Sequence, residues 1–174
     1  MSRLPILIAP DPTLKTKAKP VAAVDDRVRQ LMDDMADTMY AAPGIGLAAP
    51  QIGVLERIVV LDVSRDSEPP RLLQMANPEI TWTSEEVKTV NEGCLSLPEY
   101  YADITRPAEV EVRYLDRHGS RQQIRGGGLL ATCVQHEIDH LNGVLFVDHL
   151  SALKRNIILR KLVKLKKAQA EEDS

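Results

Sequence analysis

The chain has 174 residues, 44% hydrophobic and 27% charged, with a formal net charge of −3. That balance fits one globular domain spanning 1–174 and excludes a disordered polyelectrolyte. No apolar run approaches the roughly 18 residues that cross a bilayer, so a membrane-spanning protein is excluded too.

Met1 to Ala9 carries one basic residue and a short apolar stretch that Pro5 interrupts and Pro10 closes. That is too short and too broken for a secretory leader, so a cytoplasmic location is expected. In a reducing compartment the two cysteines, Cys94 and Cys133, serve as ligands, nucleophiles or core residues rather than as a disulfide.

Val24, Val28, Leu31, Met32, Met35 and Met39 form a helical stripe behind Asp25-Asp26, predicting a first helix that ends before Pro43-Gly44. Ile58 to Val63 is a β-branched run that reads as a buried strand. Further strands are predicted at Leu72 to Ala76, Ile80 to Val90 and Glu109 to Leu115, the last turning through Asp116–Gly119 into Arg121 to Arg125. Gly126-Gly127-Gly128 breaks the chain before a second helix, Leu129 to Leu141. A third runs from Ser151 to Ala170. Strands in the middle and helices towards both ends predict an α+β fold, with mixed or antiparallel sheets around the second helix.

Charge is uneven along this order. Residues 1–149 carry 15 basic against 22 acidic side chains, whereas residues 150–174 form a basic helix and acidic tail with a balance of +4. On a helical wheel Ile158, Leu159, Leu162, Val163 and Leu165 gather on one side. Lys154, Arg160, Lys161, Lys164 and Lys167 gather on the other, with Leu153 and Ile157 interleaved. A solvated face and a contact with an anionic partner, RNA ahead of a membrane surface, both fit this pattern.

The second helix carries His136-Glu137-Ile138-Asp139-His140, an HExxH sequence. Histidines at i and i+4 share a helix face, so two imidazoles can hold one metal ion while Glu137 accepts a proton beside it. Surface histidines with ordinary hydrogen bonds are the competing reading. A catalytic site needs a third protein ligand. In zincin peptidases it lies downstream, yet position 146 is Phe, and His149, Asp148 and the terminal acids are poorly spaced. That weakens an endopeptidase reading and turns the search upstream to the thiols. Cys133, three residues before His136, would strain a tetrahedral site and reads better as a small buried residue. Cys94, between Gly93 and Pro98, stands in a constrained segment suited to presenting a thiolate.

Three separated segments then match one family. Gly44-Ile45-Gly46-Leu47-Ala48-Ala49-Pro50-Gln51, Glu92-Gly93-Cys94-Leu95-Ser96 and Gln135-His136-Glu137-Ile138-Asp139-His140 resemble the three motifs of peptide deformylases, in their order and spacing. The resemblance runs from Asp11-Pro12 to the basic C-terminal helix, a form common in Gram-negative bacteria. It implies removal of the N-formyl group from formyl-methionyl nascent chains, with release of formate. It implies one divalent ion, Fe²⁺ with Zn²⁺, Ni²⁺ or Co²⁺ as substitutes, held by Cys94, His136 and His140, with water or hydroxide as fourth ligand. It makes Glu137 the general base and then the proton donor, and the Gln51 amide and Leu95 N–H the oxyanion donors. Ile45, Gly46, Leu129 and Cys133 would bind the substrate, and the C-terminal helix would contact the ribosome; neither DNA nor a membrane is expected as a partner. Taken alone, Gln51 reads better as a loop-capping amide than as a catalytic donor. Tyr101 stands where some members have a basic residue. A binding module with a structural metal would need neither Glu137 nor Gln51.

Overall fold

In the computed structural model, which describes residues 3–173, the chain forms in order α1 (Asp26–Ala41), β1 (Gly46–Ala48), β2 (Ile58–Leu61), β3 (Leu73–Thr83) and β4 (Val87–Cys94). There follow β5 (Leu97–Pro107), β6 (Glu109–Leu115), β7 (Arg121–Gly127), α2 (Gly128–Leu141) and α3 (Ala152–Glu172). Short 3₁₀ turns cover Pro12–Lys15, Ala49–Ile52 and Phe146–His149. All strand pairs are antiparallel, in a five-stranded sheet ordered β1-β2-β3-β6-β7 and a two-stranded sheet β4-β5. The fold is α+β.

The run Ile58-Val59-Val60-Leu61 lacks polar alternation because β2 is covered on both sides. Ile58 and Val60 join Val28, Met32, Met35 and Met39 of α1 in one cluster, while Val59 and Leu61 join Val134, Ile138 and Leu141 of α2 in another. Side chains alternate across a strand, so one apolar run supplies both layers. α1 starts where the Asp25 carboxylate accepts the Val28 N–H at 3.0 Å and so caps the helix. α2 follows β7 with no intervening loop. Gly128 makes that junction at φ 57°, in the left-handed region where a side chain is strained.

Two strands have no counterpart among the expectations. β1 is only three residues long, and β5 begins with an irregular pairing past Pro98, where Glu99 takes φ 70°. The one strand expected over Ile80 to Val90 is two. Ser84 Oγ accepts the Glu109 N–H at 3.0 Å and donates to Glu86 O at 2.8 Å, where the chain bends at Glu85 between β3 and β4. The Ser84 N–H to Glu109 O and Ala108 N–H to Glu86 O bonds carry pairing straight into β4–β5. The tip of that hairpin is Cys94-Leu95-Ser96-Leu97.

A third apolar cluster fixes the hairpin in place. Leu97 and Ile104 pack with Ala9, Leu14, Phe146 and Leu162, and Ile158, Leu159 and Leu165 lie against them. The expected apolar side of α3 is therefore narrower than the wheel implied: Val163, one residue and about 100° on from the buried Leu162, is 39% exposed. Lys166 turns inward instead and donates to Ile8 O at 3.1 Å.

Candidate metal centre and substrate cleft

α2 is buried along most of its length and takes its polar residues into the interior with it: His136, Glu137 and His140 are all less than 10% exposed. The hairpin tip brings Cys94 to the same point. Cys94 Sγ lies 3.3 Å from His140 Nε2, which lies 3.2 Å from His136 Nε2, and the three ligand atoms fall within 4.8 Å of one another. Of the two thiols, Cys94 joins the histidines. Cys133 faces Ile45 O at 3.7 Å, and burial pushes its thiol well above the usual range, which keeps it neutral.

The donors are set for a cation. His136 Nδ1 is 3.0 Å from Glu92 Oε1, so with the proton on Nδ1 the Nε2 lone pair points inward. Burial lowers the basicity of both imidazoles. Contacts with Cys94 and Glu92 and the charge of Glu137 overturn that for His136, whose pKa is well above normal, so an ion binding at Nε2 must displace a proton from it; His140, beside it, is well below. One thiolate with two imidazoles suits several transition ions.

Glu92 sits in a buried charge chain. Arg106 Nε and Nη2 donate to its two carboxylate oxygens at 2.7 and 3.0 Å, while Arg106 Nη1 reaches Asp139 at 2.8 Å. Asp139 is also 2.9 Å from His149 Nε2. These bonds hold Glu92 below the ordinary carboxylate range although burial works the other way. Sequence reasoning gave roles to none of Glu92, Arg106 and Asp139. Two stood inside quoted motifs; Arg106 had no local signal.

Glu137 is treated differently. Burial, only partly offset by the charges of His136 and Arg106, raises its pKa to about 7, and Oε1 has no hydrogen-bond partner among the described residues. Its carboxyl faces Gly46. A Cβ added to Gly46 would overlap that carboxyl and sit 2.8 Å from Cys133 Sγ, so only glycine admits this approach.

These groups line a cavity of about 450 Å³. Ile45 and Leu129 stand at 43% and 49% exposed, Cys133 and Glu137 lie deeper, and Tyr100 and Tyr101 flank the hairpin side. Gln51, Leu95 and Gly46 also line it; His140 is wholly buried and does not. Gln51 is held by its own amide. Oε1 accepts the Ala48 N–H at 2.9 Å, and Nε2 donates to Ser96 Oγ at 3.0 Å and lies 3.6 Å from Cys94 Sγ. The capping role of Gln51 and its place in the cleft are thus both realised.

Comparison with known proteins agrees with this geometry. The family model described as polypeptide deformylase matches residues 3–156. A peptide deformylase of Methylocella silvestris is 57% identical over 171 residues, covering 97% of this chain and 87% of the relative. One from Rhizobium meliloti is 51% identical over 169 residues, covering 97% of each. Among solved structures, the peptide deformylase of Ehrlichia chaffeensis superposes with a TM-score of 0.93 at 40% identity, covering 97% of this chain and 99% of that one. The structure from that organism in complex with actinonin gives 0.90 at 43% identity, covering 94% and 98%. The chain belongs to the peptide deformylase family, a family of enzymes.

Proposed function

We propose that the protein hydrolyses the N-formyl amide of formyl-methionyl peptides as they emerge in the cytoplasm, releasing formate and a free amino terminus. One observation carries the reading: three convergent ligand atoms stand beside a buried carboxyl whose pKa is raised to about 7, with the uncharged Gln51 amide lining the same cleft.

Cys94, His136 and His140 would hold a divalent ion, Fe²⁺ in our reading, with Zn²⁺, Ni²⁺ or Co²⁺ as substitutes. When bound, such an ion polarises an amide carbonyl and acidifies water. Glu137 takes a proton from the attacking water and passes it to the leaving amine, a task suited to a pKa near neutrality. As water adds, charge builds on the formyl oxygen. The Gln51 amide and the Leu95 N–H accept that charge as neutral donors fixed in advance, each worth about 3 kcal/mol. Ile45, Leu129 and Cys133 supply the apolar wall for the methionine side chain, and Gly46 offers main-chain groups beside it.

The test is turnover of a formyl-methionyl peptide by anaerobically purified protein, with metal analysis. Glu137→Ala is expected to keep its metal and lose activity, and Cys94→Ala to lose metal affinity. Undiminished turnover without Glu137 would rule out the mechanism.

A further inference from the structure

Ser96 has no part in the mechanism so far, although its hydroxyl lies in the same buried network. It is 0% exposed and meets Gln51 rather than any acid or base. That contact places it as a hydrogen-bond acceptor and not as a nucleophile.

A glutamine side chain has one oxygen and two N–H bonds. The Ala48 N–H, a donor with no other role, identifies and fixes the oxygen of Gln51. One amide hydrogen is then taken by Ser96 Oγ at 3.0 Å, which leaves the other for the side of the cleft where Cys94 Sγ lies 3.6 Å away. Two anchors at opposite ends of one amide leave no freedom for a flip or for rotation of its plane. The backbone holds the spacing as well. Leu7 N–H donates to Gln51 O at 2.7 Å and Ala9 N–H donates to Ser96 O at 2.9 Å, so a single extended strap ties the two residues together.

We propose that Ser96 is a positioning residue that aims the Gln51 amide at the developing oxyanion, with Leu7–Ala9 fixing the distance between the two segments. The inference rests on the assignment of Gln51 as an oxyanion donor. A donor aimed beforehand stabilises charge without reorganising in the transition state, so the effect belongs in kcat and not in KM.

A double-mutant cycle tests it, with kcat, KM and bound metal measured for the wild type, Ser96→Ala, Gln51→Ala and the double variant. Ser96→Ala is expected to lower kcat about tenfold, a share of the effect of losing a whole donor, with KM and metal content held. In the Gln51→Ala background it is expected to cost nothing more. An equal loss in both backgrounds, or no loss in the wild type, overturns the inference alone. A Gln51→Ala variant with full kcat overturns the oxyanion assignment and this inference with it. The zinc-loaded wild type provides a check that needs no Ser96 variant to fold. By NMR, one of the two Gln51 amide protons, assigned by its absence in Gln51→Ala, should exchange with water more than about tenfold slower than those of surface glutamines. Rapid exchange of both removes the anchor on which the inference depends.

Discussion

Arg106 grips both carboxylate oxygens of Glu92 while Glu92 meets His136 Nδ1, so a guanidinium on β5 sets the orientation of an imidazole on α2. Both ends of the Arg106–Glu92 pair are at most 8% exposed. Arg106→Gln would strand Glu92 and Asp139 without their cation. Breaking such a pair costs about 3–5 kcal/mol, and loosening a group behind a ligand weakens metal binding about 10- to 100-fold. Urea unfolding and chelator competition read the two effects separately. A variant unchanged in both would show that the chain of charges does not support the centre.

Tyr40 donates to Asp62 Oδ2 at 2.6 Å, and the Asp62 N–H in turn donates to Ile45 O at the start of β1. Burial opposes ionisation of Asp62, yet bonds from Ser64, Tyr40 and the Arg71 N–H hold its pKa below the ordinary value. A depressed folded-state pKa contributes stability above the unfolded value of about 3.9, and that contribution disappears as pH falls through the folded value. Tyr40→Phe is expected to cost about 1.5–3 kcal/mol at pH 7 and progressively less below pH 4, checked by urea melts across that range. A cost independent of pH would place the effect elsewhere.

Removing the metal should lower the melting temperature. An ion present at about 100 times its Kd adds about 2.7 kcal/mol, and each kcal/mol is worth about 2–4 °C for a chain of this size. Thermal melts with and without chelator measure it. Cys94→Ala is expected to show little of this shift; a full-sized shift without the thiol would move the binding site away from the cluster.

On α3 the outward face mixes Leu153 and Ile157 with Arg160, Lys161, Lys164 and Lys167. If that face contacts ribosomal RNA, neutralising the four cations should weaken ribosome pelleting and flatten its dependence on salt. Turnover of a free peptide should stay unchanged, since none of the four lines the cleft. Pelleting that ignores both salt and substitution argues for a solvated face.

Local pattern made α1, β2 and α2 readable, because their apolar periods match the layers that cover them. Cys94 was reachable only by asking what an HExxH helix lacks, and Gln51 and Leu95 only through the motifs around them. The rest had no local trace. Nothing near Arg106 marks it as a buried cation, since its partners are 14 and 33 residues away and meet it only after the ribbon folds over. Ile80 to Val90 looked continuous because the break at 84–86 is bridged by side-chain bonds of Ser84, and β propensity does not register those. Val163 lies at the edge of the apolar side that the wheel draws and stays exposed, because α3 offers little more than Leu162 to full burial.

The bond from Lys166 to Ile8 joins positions 158 residues apart. Synthesis runs from the amino end, so residues 7–9 wait for almost the whole chain before α3 can close over them. The sheet and its two flanking helices can pack earlier, from contacts complete by Leu141. The strap that spans Gln51 and Ser96 can make those two bonds early, but its cover is complete only when α3 arrives. That cover is a clasp between residues 7–9 and α3, which only a nearly complete chain can make.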